Sequence, residues 1–262
     1  TQKSKLDNAP SVAEITFIPA FCRSSRVGFA LESILDINLE SQSPREMLAM
    51  VMAAQNRLRA GNALDIPGEA AIRKLKITGG NGQDYVGAGM RSVHSISVSG
   101  NIGEFGFCSF GDGECTVHGR VGRFFGHSIH SGILVVNGHA SHCVGALGVG
   151  GMIAIYGNAG DRVATCLRGA DVIVRGSVGS YAGIGMQDGC LIIGGNAGPN
   201  MGQSMKKGTI YLRGEAESIS SDIEELRLRE PDRLKIGLLM IKAGIKSTGK
   251  EFRVYRPVQS EL

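Results

Sequence analysis

The chain has 262 residues, of which 42% are apolar and 20% are charged, and its formal net charge is +4. This modest charge, with no basic run interleaved with aromatic residues, argues against nucleic-acid binding. No apolar run reaches the roughly 20 residues of a membrane-spanning helix, and no signal-peptide pattern opens the chain at Thr1. We therefore expect a cytoplasmic protein with no nucleic-acid or membrane partner.

Two features of the composition are unusual for a globular protein. Glycine, at 39 residues, has about twice its average share, whereas tryptophan is absent and aromatic residues make up only 5%. Such a composition favours a fold of repeated tight turns around a core of small and branched aliphatic side chains. The cysteines form no C-x-x-C pair and are predicted to be free thiols rather than disulfides or metal ligands. They are Cys22, Cys108, Cys115, Cys143, Cys166 and Cys190.

Residues 1–72 are predicted to be a mixed N-terminal segment that contains one helix. Ser43 and Glu46 have the spacing of a capping box, Pro44 suits the first helical position, and Gly61 suits the stop. The helix predicted over 44–60 has an apolar face, which we expect to cap the coil described next. The alternative is that this methionine-bearing face binds a partner. Its apolar residues are Met47, Leu48, Val51, Met52 and Leu58.

Residues 73–216 carry a repeat of 19 residues. From Gly100, steps of 19 reach another glycine six times without an insertion or a deletion, as far as Gly214. Further glycines and apolar residues recur within each unit, and the consensus is G-x-x-G-x-x-x-G-x-x-Φ-x-x-G, with Φ apolar. It is most complete in 176–189 and 195–208. Positions within a unit are numbered here from its first glycine, so that +1 follows that glycine and −1 precedes it. The unit starts are Gly100, Gly119, Gly138, Gly157, Gly176, Gly195 and Gly214.

Apolar residues recur with the same period. Positions −4 and −2 lie two residues apart, so their side chains share one face of a short strand. One unit cannot bury this face alone, but units stacked about 4.8 Å apart would form continuous aliphatic columns. The −4 column is Ile96, Cys115, Leu134, Ile153, Val172, Leu191 and Ile210. The −2 column is Val98, Val117, Val136, Ile155, Val174, Ile193 and Leu212. Position +2 carries smaller apolar residues, from Ile102 to Ala216.

The repeat predicts an all-β core, a right-handed single-stranded parallel β-helix with 19-residue turns and flanking N- and C-terminal helices. Nineteen residues are too few for a pair of helices or a propeller blade, and the leucine-rich-repeat signature is missing. Residues 74–90 repeat the theme with a register slip near Gly79–Gly82, as expected for an imperfect first turn.

Residues 217–262 are predicted to be a helical cap and an extended tail. Two helices are expected, over 221–229 and 231–243, the second with Pro231 at its start and Gly244 at its stop. Residues 249–257 are expected to be extended. Because the end of a coil is a sheet edge with unpaired backbone groups, these helices either cover that edge or dock onto another protein.

The pattern identifies no catalytic, cofactor-binding or metal-binding residue. The histidines of the coil fall at different positions of their units, and His127-x-x-His130 alone is a weak metal signal. The glycines lead into short strands, not into the long helix of a nucleotide-binding motif. Polar residues at +1 and −1 are interpreted as a solvated face or, alternatively, as a protein-docking face. The histidines after Gly100 are His118, His127, His130, His139 and His142.

The G-x-x-G-x-x-x-G repeat on a coil of this length resembles the C-terminal β-helix domain of glutamate synthase, the GXGXG domain. The same domain occurs as a separate subunit in split enzymes such as N-methylglutamate synthase. The resemblance covers about residues 75–215 and is closest over 167–215, and the tail with LLMIKAGI and EFRVYRP resembles the separate subunit. The motif also resembles the C subunit of formylmethanofuran dehydrogenase and of the related formyltransferase/hydrolase complex.

The resemblance implies a non-catalytic structural subunit of a glutamate-synthase-type oxidoreductase and amidotransferase complex. Its partners would be glutaminase-like and FMN-binding synthase subunits, and FMN and an iron–sulfur cluster are expected in a partner rather than in this chain. The chain begins with Thr1 rather than the cysteine of the family's glutaminase domain. Two alternatives remain. One is a C subunit of a one-carbon formyl-transfer complex, and the other is a self-sufficient enzyme that uses a groove on the coil with His127 and His130.

Overall fold

The computed structural model describes residues 33–40, 46, 49, 72–91, 95–247 and 249–258, and its architecture is an all-β parallel solenoid with one C-terminal helix. Strands β1 to β9 pair in parallel in chain order, and β11 and then β10 continue the same sheet beyond β9. The strands are β1 Ser33–Asn38, β2 Ile72–Gln83, β3 Ser95–Ile102, β4 Glu114–His118, β5 Ile133–Val136, β6 Met152–Ile155, β7 Arg168–Val174, β8 Asp188–Ile193, β9 Thr209–Leu212, β10 Ile223–Leu226 and β11 Arg253–Pro257. Helix α1 is Glu230–Lys242.

The predicted 19-residue register is confirmed between β3 and β9. Ile96 lies opposite Cys115, Cys115 opposite Leu134, and the pairing continues in steps of 19 to Ile210. The −4 and −2 side chains are all buried in one core, and the +2 residues from Ile102 to Ala216 are joined by parallel bridges from turn to turn. The apolar columns read from the sequence are therefore the inside of the solenoid, while its right hand stays a prediction.

The first turn slips in register as predicted. Leu75 lies opposite Ile96, Gly80 opposite Gly100 and Gln83 opposite Ile102, so the spacing shortens from 21 to 20 and then to 19 residues. Strand β1 pairs in parallel with β2 and adds one more rung, which the sequence analysis missed because no glycine corner marks it. The predicted helix 44–60 lies outside the described residues except for Glu46 and Ala49, which are helical.

The helix predicted over 221–229 is wrong, because residues 223–226 form strand β10. Strand β11 pairs antiparallel with both β9 and β10, and Tyr255 lies opposite Ile210 at the edge of the solenoid. The backbone N–H and C=O groups at the edge of β9 thus pair with β11, which in turn pairs with β10. The free energy of these hydrogen bonds outweighs the local helical preference of residues 221–229. The other two predictions for this region are confirmed, since α1 covers the second helix and β11 lies in the extended tail.

Helix α1 packs on the outer surface of the sheet, not across its end. Strands β6 and β9 are buried on both faces, whereas in β3 to β5 buried and more accessible residues alternate. The outward side chains of β6 to β9 form a second core with α1 and β11. Its fully buried members include Met152, Ala154, Ile173, Cys190, Ile192 and Tyr211 from the solenoid and Ile236, Met240, Ala243, Phe252 and Val254 from the C-terminal segment.

A buried polar cluster fastens α1 to this surface. Asp232, in the first turn of α1, accepts a hydrogen bond from the Tyr211 hydroxyl at 2.8 Å and another from the Arg229 backbone N–H at 3.1 Å. The Arg256 guanidinium pairs with the same carboxylate. Burial opposes ionisation of Asp232, but these donors outweigh it and hold the pKa of the carboxyl below its ordinary value.

We expect Asp232→Asn to lower the free energy of unfolding at pH 7 by about 2–3 kcal/mol, because the Arg256 guanidinium loses its anion. A depressed pKa contributes stability that is fully present above the ordinary carboxyl pKa of about 4 and is lost as the pH falls through the lower, folded value. The difference between the wild type and Asp232→Asn in denaturant melts should therefore shrink below about pH 4. Glu217→Gln, at an exposed position, is the control, and an equal pH dependence in both variants would contradict the prediction.

Candidate functional site

A groove of about 350 Å³ runs along the outside of the solenoid across four successive turns. Two neighbouring columns of side chains line it. Position +4 contributes Arg123, His142, Asp161 and Ser180. Position +5 contributes Phe124, Cys143, Arg162 and Tyr181. The repeat thus places chemically different side chains side by side at the spacing of the turns, about 4.8 Å.

Side chains of the +4 column hold the backbone of the next turn. The Asp161 backbone N–H donates to His142 Nδ1 at 2.9 Å, and the Ser180 N–H donates to Asp161 Oδ1 at 2.8 Å. Because Nδ1 of His142 accepts a backbone N–H, it carries no proton, and its 3.4 Å approach to Asp161 Oδ2 is not an ion pair. The His142 ring and the Asp161 carboxylate therefore both hold neighbouring turns together.

The +5 column begins with a stack of three aromatic rings. The centroids of Tyr85 and Phe105 are 5.4 Å apart and those of Phe105 and Phe124 are 4.8 Å apart, with nearly parallel planes. His127 meets Phe105 and Phe124 edge-on, with centroids 6.0 Å from each ring. The stack lies on the outside of the solenoid, and the Tyr85 side chain is exposed.

Residues at +5 from Phe105 to Asn200 occupy left-handed backbone conformations although none of them is glycine. Their φ angles run from 54° to 61° between Phe105 and Asn200, including 57° at Arg162 and 60° at Tyr181. The backbone N–H of each points along the axis, as in the Tyr181 N–H bond to Pro199 O in the following turn. Glycine would adopt this conformation at a lower cost in free energy. Each non-glycine residue at +5 therefore carries a backbone strain of about 1 kcal/mol.

Two guanidinium groups flank the thiol of Cys143. The Arg123 Nε atom lies 3.6 Å from Glu104 Oε1. Among the described residues, the Arg162 guanidinium has no carboxylate within ion-pair distance. The Arg162 guanidinium lies 5.9 Å from the ring centroid of Tyr181, in cation–π range. Burial raises the pKa of the Cys143 thiol, while Arg162 and Arg123 act to lower it and Asp161 to raise it. The two arginines thus favour negative charge at this point of the groove.

The weak metal signal of His127 and His130 is not accompanied by further ligands. Across the described ranges no group of three histidine, cysteine or acidic side chains is close enough to hold a metal ion. His127 Nδ1 lies 3.0 Å from Ser128 Oγ, and burial lowers the pKa of the ring, whereas His130 is exposed. All the described cysteines are free thiols, as predicted, and Cys22 lies outside the described residues.

Much of the polar +1 column forms a ladder. The side chains of Asn101, His139, Asn158, Ser177 and Asn196 each accept a hydrogen bond from the backbone N–H of the +1 residue in the next turn, at 2.9–3.0 Å. The −1 column is less regular, but Tyr156 donates to Ala243 O at the end of α1 and is covered by it. The +1 residues of this ladder are exposed or half-buried, in agreement with a solvated polar face, and they also join the turns.

No protein-family model and no curated protein matches this chain. None of the helices in the described part of the chain is long and apolar enough to cross a membrane.

Sequence reasoning missed the groove. A signal for it exists, since three of the seven residues that stand five places after a unit start are aromatic, in a chain with only 5% aromatic residues. The +5 position as a whole cannot be recognised from the sequence because its side chains differ in chemical type. Their common feature is a positive φ angle, which only the structure displays. The consensus glycines are one residue type at a fixed spacing, so the sequence pattern points to the corners instead.

Proposed function

We propose that this protein is a non-catalytic structural subunit of a glutamate-synthase-type complex, in which it scaffolds glutaminase-like and FMN-binding synthase subunits. The resemblance of residues 75–215 to the GXGXG domain suggests the partners. In such a complex FMN and the iron–sulfur cluster belong to a partner subunit, and the assembly works in the cytoplasm as an oxidoreductase and amidotransferase. The role of this chain is to hold its partners in a fixed relation.

The observation that carries the proposal is an apolar stripe on the outer side of α1. Leu234, Leu238 and Ile241 are 60%, 68% and 74% exposed, and their spacing of four and then three residues places them on one side of the helix. The opposite side of α1, with Ile236 and Met240, is buried against the solenoid. A helix that is apolar on both sides is typical of an element that lies between two bodies.

The stripe is also held rigidly. The polar cluster at Asp232 fixes the start of α1, and the Tyr156 hydroxyl bond to Ala243 O fixes its end. A preformed apolar surface loses little conformational entropy when a partner covers it, which suits a permanent subunit contact. The solenoid behind it gains its rigidity from hydrogen bonds between every pair of turns.

The test is gentle purification of the full chain from its native host. We expect a flavin-containing subunit and a glutaminase-like subunit with an N-terminal cysteine to co-purify, identified by flavin absorbance and peptide mass spectrometry. Leu238→Arg should release at least one of them, because it places a charge in the middle of the stripe. Val149→Arg, at an exposed apolar residue away from α1, should retain both.

Three results would count against the proposal. Recovery of neither partner would contradict the scaffold function, and full retention by Leu238→Arg would remove the stripe as the interface. Recovery of amidohydrolase-like and formyltransferase subunits instead would favour the C subunit of a one-carbon complex.

A further inference from the structure

The groove at positions +4 and +5 contains a gap in a ladder of stacked groups. Tyr85, Phe105 and Phe124 stack ring on ring along the axis, and two turns beyond Phe124 the Arg162 guanidinium lies over Tyr181. Between Phe124 and Arg162 stands Cys143, whose short side chain cannot fill the space that a ring takes in the other turns. Among the described residues no ring stacks on the side of Phe124 away from Phe105.

The dimensions of this gap suit one planar ring. Successive turns lie about 4.8 Å apart, so Phe124 and Arg162 are separated by about two turn spacings. A flat group stacked on Phe124 at the 4.8 Å observed between Phe105 and Phe124 would lie at the level of Cys143. Its other face would meet the guanidinium of Arg162, a group that stacks well on π systems.

The charges around the gap suit an anionic substituent on that ring. Arg162 has no carboxylate partner among the residues described, and the Arg123 guanidinium has only a half-exposed one at 3.6 Å. The nearest acid in the groove, Asp161, already accepts the Ser180 N–H with one oxygen. A carboxylate or phosphate would gain charge-assisted hydrogen bonds from the guanidinium groups.

We propose that the groove binds a small molecule with a planar aromatic ring and a carboxylate or phosphate group, the ring occupying the level of Cys143 between Phe124 and Arg162. The Phe124 ring and the Arg162 guanidinium hold the two faces of the ligand, and Arg123 with Arg162 holds its anion. This site lies on the solenoid itself and is independent of the interface on α1.

The probe is 2-naphthoate, titrated into the purified full chain by isothermal calorimetry, with neutral 2-naphthalenemethanol as the matched compound. We expect saturable binding of one naphthoate with a Kd of about 1 mM or below and clearly weaker binding of the neutral analogue. Arg162→Gln should weaken naphthoate binding about tenfold or more. Arg175→Gln, at an exposed arginine outside the groove, should leave it unchanged.

Two substitutions at Cys143 decide the position of the ring. Cys143→Phe fills the gap with a ring, as Phe105 and Phe124 do at almost the same φ, and should abolish binding while the thermal melt stays close to that of the wild type. Cys143→Ala leaves the gap open and should retain binding. Unchanged affinity in Cys143→Phe, equal binding of the neutral analogue, or no naphthoate binding by the wild type would each overturn the proposal.

Discussion

Val174→Asp is expected to lower the free energy of unfolding by more than about 4 kcal/mol, enough to unfold the solenoid. The Val174 side chain is fully buried in the −2 column, and its strand neighbours are Ile155 and Ile193. A carboxylate there would lie among aliphatic side chains with no donor in either adjacent turn of the column. Since each turn stabilises its two neighbours, damage in the middle of the stack weakens both interfaces.

Arg175→Asp is the matched control for this substitution. It introduces the same side chain one residue further along, where the native side chain is exposed. Surface changes of this kind usually alter stability by less than about 0.5 kcal/mol. Circular-dichroism melts of the two variants measure the difference, and similar melting temperatures would mean that the inward and outward faces of the strand are wrongly assigned.

Gly176→Ala is the second substitution with a large expected effect, a loss of more than about 2 kcal/mol. Its φ is not in the left-handed region, so the requirement for glycine here is one of space. A Cβ would lie 2.7 Å from the carbonyl oxygen of Gly157 and would also clash with Asn158 Oδ1. Neither atom can move freely, because the first is backbone and the second accepts the Ser177 N–H at 3.0 Å.

Gly237→Ala is the control with the opposite expected sign. Gly237 lies inside α1, and a Cβ there would meet no atom within 4 Å. The same substitution should therefore stabilise the protein by up to about 1 kcal/mol through helix propensity. Denaturant melts of both variants check the prediction, and a loss of stability in Gly237→Ala equal to that in Gly176→Ala would exclude crowding between turns as the reason for the unit-start glycine.

The turn geometry and the register of the solenoid could be predicted because the same local pattern recurs seven times. A slip of one residue between turns would move the −4 and −2 side chains from the core to the surface, so a strict 19-residue period allows only one stacking. The unit-start glycines were correctly placed where neighbouring backbones approach closely. Ser177, in contrast, looks solvated in the sequence, and only the stacked turns show that its hydroxyl accepts the Asn196 N–H.

The sequence by itself determined the parallel coil, its period, the residues of its core and the positions of α1 and the extended tail. Only the tertiary structure decided that residues 223–226 form a strand, because the free edge of β9 offers β11 and β10 hydrogen bonds that no local pattern encodes. It also decided that α1 lies against the outer side of β6 to β9, where the outward side chains are apolar. The groove has the same origin, since residues 19 positions apart become neighbours only when the turns stack.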